Sequence, residues 1–268
     1  MVCIIFYILS EEGVQQGDPL GPFLFALALH HFLLQEINKS IKEVGEGIAL
    51  AYLDDIGLIG EPSAVTAGFQ KIQEIGSAHG FKLNMVKSAI YCNGIDPTNL
   101  PPLLPQQLNR CTARLELLGG VIGSSVEVAT FLDRKIDAII DELERVYRID
   151  NTQQKLFLLR FCTCQKFNYL MRLFNQLILL PDGSTFEDRT DEILSKYVLN
   201  LLHFERKEAL DSFQWEKIRL PVNKGGLGIL QASNIHHAAY IGSTLDCLED
   251  MKSIHNLALT QPNIQTRN

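Results

Sequence analysis

The sequence has no apolar run long enough to cross a bilayer. Its two longest, residues 1–9 and residues 23–34 with His30 and His31 inside the second, fall short of the ~20 residues a spanning helix needs. The first also has no basic start and no small-residue cleavage site, so it does not read as a secretory signal. Paired CxxC motifs are absent too. The six cysteines (Cys3, Cys92, Cys111, Cys162, Cys164 and Cys247) are scattered, which leaves a zinc site without support and fits reduced core thiols. Cys162 and Cys164 lie two apart on an expected helix and so should point to different sides. There is no low-complexity tract and no short repeat. An intracellular protein, of cytoplasm or nucleus, is the expectation.

Basic charge is also scarce. Lys and Arg number 24 against 31 Asp and Glu, a net charge of −7, which excludes a polycationic nucleic-acid binder. The distribution is uneven, however. Residues 151–180 carry Lys155, Arg160, Lys166 and Arg172 with no acid, so any surface that follows a phosphate backbone belongs there rather than in residues 1–90. A solvated helix face is the alternative for that stretch. What the chain does have is 46% hydrophobic residues, enough for a real core.

Residues 11–21 are rich in Gly, Gln, Asp and Pro and read as a loop. Pro22 suits the first turn of a helix reaching about Lys42, because its missing N–H costs nothing there; Gly45 and Gly47 end it. Residues 48–60 are short, apolar and Gly-bounded, and are broken only by Asp54 and Asp55, which predicts a hairpin with the acids at its tip. Residues 62–79 have helical spacing and stop at Gly80. Strands are expected at 88–92 and 113–122, on either side of a stretch broken by Pro97 to Pro105. Ser124 and Glu127 form a capping-box pattern before a long helix marked by Leu132, Ile136, Ile139, Leu143 and Val146. Further helices are predicted near 152–180 and 188–210, separated by Pro181-Asp182-Gly183. Strands and helices mix up to Gly123 and helices dominate afterwards. The expected fold is α+β, with domains 1–123 and 124–268 and a small antiparallel sheet on the helices 22–42 and 62–79.

Asp54 and Asp55 carry the most chemistry. Adjacent carboxylates repel, and Asp-Asp is not the Asn-Gly or Asp-Gly pair that tight hairpins favour. Two acids between apolar runs make sense if a divalent cation neutralises them, and Mg²⁺ takes carboxylates together with substrate phosphates. A merely polar turn is the other reading.

The string Ala51-Tyr52-Leu53-Asp54-Asp55 resembles the Tyr-x-Asp-Asp box of reverse transcriptases. Ahead of it, Gly13-Val14-Gln15-Gln16-Gly17-Asp18-Pro19-Leu20-Gly21-Pro22 is similar to the Gln-Gly loop and Pro-started helix of that family. Behind it, Gly80-Phe81-Lys82-Leu83-Asn84-Met85-Val86-Lys87-Ser88 resembles the next motif, and Leu117-Leu118-Gly119-Gly120-Val121-Ile122-Gly123 the primer-gripping hairpin. The four stand in the family's order across residues 11–123, and their wording is nearest to non-LTR (LINE-like) retrotransposon polymerases. A weaker echo covers Arg219-Leu220-Pro221, Gly225-Gly226-Leu227-Gly228-Ile229 and Ala238-Ala239-Tyr240-Ile241; by itself this reads as a Gly-rich turn before an amphipathic helix.

The resemblance implies a partial palm followed by a helical thumb-like region, acting on an RNA template, a DNA primer and dNTPs with Mg²⁺. Asp54 becomes a direct metal ligand and Asp55 a supporting one. Tyr52 packs near the primer end, and Gln16 and Gly17 touch template and incoming nucleotide. Lys87 neutralises the leaving pyrophosphate, or else is a plain surface lysine. Gly119 and Gly120 let the primer backbone approach, or else are turn glycines. Gly21 stands where the family often has Ser, and Leu53 where this subgroup often has Ala. The family also needs an Asp from an earlier strand. Glu11 and Glu12, the acids before Gly13, sit too close to the loop to supply it. The chain therefore reads as a C-terminal part of such an enzyme without that strand or the fingers. It should bind Mg²⁺ weakly or not at all, be inactive alone, and carry an exposed sheet edge. A non-catalytic helical protein that binds nucleic acid or another protein is the second reading. A nuclease finds little support, because Asp18 is the only nearby acid and sits in an Asp-Pro turn.

Overall fold

A computed structural model of the chain describes residues 17–92, 104–105, 107–204 and 210–255, of which 251 and 253–255 through the backbone alone. The chain divides into two compact units, Met1–Thr112 and Ala113–Asn268. Residues 114–123 therefore fall in the second unit, where the sequence pattern grouped them with the first.

In the first unit, α1 (Gly21–Leu29), a wide π-helical turn (His30–Leu34) and α2 (Gln35–Val44) follow one another. Pro22 lies in the opening turn, as its fixed φ favours. Leu29, Leu33, Ile37 and Ile41 recur every four residues and are all buried, which makes one face of this run the core. Against it pack β1 (Gly47–Tyr52) and β2 (Asp55–Gly60), an antiparallel hairpin, and α3 (Pro62–Gly76) through Ala64 and Ile72. A 3₁₀ turn (Ser77–His79) ends at Gly80, whose φ of +79° suits a residue with no Cβ.

The strands depart from expectation. β3 (Ala89–Tyr91) pairs in parallel with β4 (Asn109–Cys111), a strand of three residues with no apolar alternation to announce it. β5 (Arg114–Leu117) and β6 (Gly120–Gly123) form a hairpin of their own in place of one strand over 113–122. The described residues thus hold three two-stranded ribbons, one of them parallel, instead of a single antiparallel sheet. Helices and small sheets together still make an α+β arrangement.

In the second unit, α4 (Ser125–Tyr147) starts at Ser124, whose hydroxyl accepts the Glu127 N–H. The second half of the expected capping box is not made: the Glu127 carboxylate pairs with Arg114 at 3.3 Å instead. α5 (Thr152–Leu158), a second π-helical turn (Leu159–Thr163) and α6 (Cys164–Leu173) replace the helix expected to reach residue 180. The chain turns extended at Phe174, where φ is −119° and ψ 143°. α7 (Phe186–Leu201), capped by Thr185, α8 (Ser212–Arg219), with a complete Asp211–Gln214 capping box, and α9 (Ala232–His255) follow. Phe131, Leu132, Ile136, Phe167, Met171, Leu194 and Val198 form the centre of the core. Cys164 is buried, which pushes its thiol pKa up, and Cys162 two residues earlier is exposed. The two thiols thus differ in environment, as their spacing predicts.

Two side chains tie this unit together from a distance. The Asp191 carboxylate of α7 accepts the N–H groups of Ala232 (2.6 Å) and Ser233 (3.1 Å) at the start of α9, doing for that helix what a local cap does elsewhere. Deeper, His236 of α9 lies 2.8 Å from Glu187 of α7 through Nδ1, and 2.7 Å from the carbonyl of Phe174 through Nε2. The segment Pro221–Gly228 folds back onto α8: Gly226 N–H reaches the Pro221 carbonyl (3.2 Å), and Gly228 N–H the Leu220 carbonyl (2.8 Å). A Cβ on Gly226 would meet the Leu220 oxygen at 2.0 Å, so close backbone packing requires that glycine, while Gly225 and Gly228 of the same string take positive φ values of +81° and +64°.

Candidate active site

The acid tip is built by alternation. Tyr52 pairs with Asp55, and Leu53 with Asp54 forms the two-residue turn between them. Side chains directly opposite share a face, so Tyr52 and Asp55 lie together with Leu50, Gly57 and Ile59, while Ala49, Ile56 and Leu58 lie on the other face. The second set meets the helices, with Ala49 buried. The first set is solvent-facing: Tyr52 is 64% exposed, and Asp54 and Asp55 are exposed as well. Core packing of the inner face is thus what turns Tyr52 and Asp55 outward.

Leu53 has a φ of +52°. A residue with a Cβ costs roughly 1–2 kcal/mol in the left-handed region, and strained positions of this kind concentrate at functional sites.

The two edges of the hairpin differ. Asn38 of α2 reaches across to β1, where its side-chain amide donates to the Ala49 carbonyl (3.1 Å) and its carbonyl accepts the Ala49 N–H (2.8 Å). Both peptide groups of Ala49 therefore point away from β2, and by the pairing register those of Leu58 opposite it point away from β1. Ile56, two residues on, directs its peptide groups the same way. No backbone partner takes them among the described residues. The outer edge of β1 is closed at Ala49, whereas that of β2, the strand that begins at Asp55, is open. Removing the closure in Asn38→Ala leaves the buried Ala49 peptide groups unpaired, a loss of about 1–3 kcal/mol. Faster amide exchange at Ala49 is the expected result, and unchanged protection would show that something else closes that edge.

Among the described residues no group of three or more His, Cys, Asp and Glu side chains is placed to hold a metal ion. Asp54 and Asp55 offer the hard oxygen donors that Mg²⁺ prefers, but two adjacent carboxylates do not complete a two-ion set.

The other sequence-predicted residues are dispersed. Gln16 lies outside the described residues. Gly17 is exposed, with a φ of +93° that only a glycine adopts easily. The next residue, Asp18, is occupied in starting α1: its carboxylate accepts the Leu20 N–H (2.9 Å) and its carbonyl the Gly21 N–H (3.0 Å). Lys87 is exposed in a turn organised by Asn84, which accepts the Lys87 N–H at 3.1 Å and the Ser88 hydroxyl at 2.9 Å. The landmarks at 80–88 therefore have structural duties, with Gly80 stopping a helix, Leu83 packing on the core and Asn84 making the turn, and the Lys87 side chain is left to solvent.

Gly119 and Gly120 belong to the second unit. Leu118 (φ +49°) and Gly119 (φ +78°) form the β5–β6 turn, with positive φ at both positions as the tightest hairpins require. The Tyr169 hydroxyl donates to the Leu118 carbonyl, and a Cβ on Gly119 would meet that tyrosine ring at 3.4 Å. Gly120 is buried, with Leu173 at 3.2 Å from where its Cβ would lie. Both glycines thus fit the hairpin against α6. Asn38 and Tyr169, which hold the two hairpins in place, escaped the sequence reading; nothing in the polar string Asn38-Lys39-Ser40 between Ile37 and Ile41 sets the first apart.

The family model described as reverse transcriptase (RNA-dependent DNA polymerase) matches residues 7–170. It spans the acid hairpin, the turn at Lys87, the β5–β6 hairpin and the helices as far as α6. The chain belongs to the reverse transcriptase (RNA-dependent DNA polymerase) family. No curated protein and no solved structure matches it significantly. Among the described residues no helix is long and apolar enough to cross a membrane.

Proposed function

We propose that this chain is the C-terminal palm and thumb-like part of a non-LTR (LINE-like) retrotransposon reverse transcriptase, with residues 1–123 contributing to the palm and 124–268 to the helical region behind it. The reaction is RNA-directed DNA synthesis, in which the primer 3′-oxygen forms a bond to the α-phosphorus of a dNTP and pyrophosphate leaves. Mg²⁺, when bound, neutralises the charge that develops on the phosphates. Asp54 would hold it directly and Asp55 would support it, once a further carboxylate completes the set. Tyr52, on the same exposed face as Asp55, packs against the primer terminus. Gln16 and Gly17 lie along template and nucleotide, Lys87 faces the departing pyrophosphate, and the Gly119–Gly120 turn faces the primer backbone.

The observation that supports this reading best is the hairpin within the family match, which turns Tyr52, Asp54 and Asp55 to solvent at one tip. The open edge of β2 beside Asp55 offers a place for one more strand, as a palm with a further carboxylate needs. This chain has no Asp ahead of Asp18, and Asp18 is committed to the turn before α1. Alone it therefore lacks the carboxylates to hold two ions. A primer-extension assay with Mg²⁺, an RNA template and dNTPs tests this: the 268-residue chain gives no product above background. Efficient Asp54-dependent extension by this chain would refute the claimed incompetence. A second reading, a non-catalytic binding protein that retains the fold, is favoured by the same incomplete carboxylate set.

A further inference from the structure

The open edge of β2 has a consequence apart from the chemistry of the tip. Natural proteins blunt an edge strand against pairing with another chain by a proline, a lysine or a bulge. β2 has none of these. It reads Asp55-Ile56-Gly57-Leu58-Ile59-Gly60, and its register with β1 runs unbroken from Tyr52–Asp55 to Gly47–Gly60. The peptide groups of Ile56 and Leu58 point outward and have no backbone partner among the described residues. On the other side of the hairpin, Asn38 blocks the edge of β1 at Ala49. Each copy therefore offers a single strand edge, so pairing between copies closes at a dimer and does not run on into a filament.

Charge restricts the register of such a pairing. Across an antiparallel two-fold contact, outward peptide groups have to meet outward peptide groups, which sets Ile56 and Leu58 against one another. With the axis at Gly57, Ile56 of each copy exchanges its backbone bonds with Leu58 of the other. Asp55 then lies opposite Ile59 and Glu61 opposite Leu53, so no acid faces an acid. Moving the axis to Leu58 would set Asp55 against Glu61, and moving it to Ile56 would carry Leu58 beyond the strand to Asp54. In the Gly57 register the Ile56–Leu58 pairs continue the apolar inner face of the hairpin across the axis.

We propose that two copies of this chain pair through β2, edge to edge, into a dimer whose two-fold axis passes Gly57. The result is one antiparallel sheet in the order β1-β2-β2-β1. The partner is a second copy because the edge is complementary to itself in hydrogen bonding, in its apolar inner face and in the placing of its acids. The contact occupies the place beside Asp55, so the dimer and a strand added there exclude one another. The dimer stands on the strand edge alone and does not depend on the polymerase reading.

Sedimentation velocity of the full chain over a range of concentrations, paired with amide hydrogen exchange, tests it. The mass rises with concentration from 30.1 kDa to twice that value and no further. The amides of Ile56 and Leu58 gain protection in step with the dimer, while that of Gly57, which faces Leu50 of its own hairpin, does not change. A Cβ on Gly57 meets nothing within 4 Å in its own chain, so Gly57→Lys is accepted by the fold. It sets two lysines face to face at the axis and weakens the dimer roughly fivefold or more. Ile59→Lys, at an exposed position, faces Asp55 of the second copy and leaves the dimer as tight or tighter. A monomer at every concentration would overturn the proposal and leave the edge to a different strand. So would assembly beyond two copies, unchanged exchange at Ile56 and Leu58 in the associated form, or a dimer indifferent to Gly57→Lys. Loss of the dimer in Ile59→Lys would overturn it too, by moving the contact to the exposed outer face of Leu50, Tyr52 and Ile59.

Discussion

His236→Leu destabilises the helical unit by about 1–3 kcal/mol, because it removes the donor to the buried Phe174 carbonyl and the one polar neighbour of the buried Glu187 side chain. His236 is 1% exposed and Glu187 7%. The Phe174 carbonyl can only accept, so Nε2 of His236 donates to it, and the ring is positioned before Glu187 is considered. The 2.8 Å approach of Nδ1 to Glu187 does not align as a hydrogen bond, and Nδ1, the second Glu187 oxygen and the Thr190 hydroxyl are all buried without a hydrogen-bond partner. The pair is thus under-satisfied, and a carboxylate left alone there has nothing to offset its lost hydration. Glu187→Met/His236→Leu removes the buried carboxyl group as well and recovers part of the loss, since the Phe174 carbonyl still lacks its donor. Urea unfolding followed by the fluorescence of Trp215, the single tryptophan of the chain, reports on this unit alone, since that residue packs against its core. Equal losses in the single and double variants would show that shape, rather than the Glu187–His236 contact, holds α7, α9 and the Phe174 corner together.

The second large effect falls on Asp54. When the chain is complemented by a segment bearing the family's upstream Asp strand, RNA-templated synthesis appears, and Asp54→Asn lowers its rate by roughly a hundredfold or more. Even outer partners of metal ligands are worth 10–100-fold, and a direct ligand is worth at least as much. Asp55→Asn, at a supporting position, loses less. The substitution is nearly isosteric and the residue is exposed, so the loss is in chemistry rather than folding, which an unchanged thermal midpoint verifies. Complemented activity indifferent to Asp54 would place the reaction elsewhere.

How far the residues foretold this arrangement depends on how local each signal is. The four-residue spacing of Leu29, Leu33, Ile37 and Ile41 and the acids between two apolar runs are complete within a few positions, so the helix run and the hairpin could be read directly. The N-cap at Ser124 was equally local, but its reciprocal half was not, because Arg114 thirteen residues away competes for Glu127. The second helix overran its end since nothing in the apolar string after Leu173 marks Phe174 as extended; that corner is held by His236 in a distant helix. β4 has three residues and no alternation. The left-handed Leu53 and Leu118 contradict propensity, and the fold imposes them through the pairing of the strands that flank each turn. For the site, residue types and order were legible. The closed edge made by Asn38, the open edge of β2 and the packing of Gly120 against Leu173 needed three dimensions.

The proposed chemistry needs the hairpin tip to seat a divalent ion. Paramagnetic broadening of backbone amide signals by millimolar Mn²⁺, a stand-in for Mg²⁺, examines that seat even where binding is weak. The signals of Tyr52 to Ile56 should broaden first and recover in Asp54→Asn. Broadening that begins elsewhere, or that is the same with and without the Asp54 carboxylate, would contradict the account.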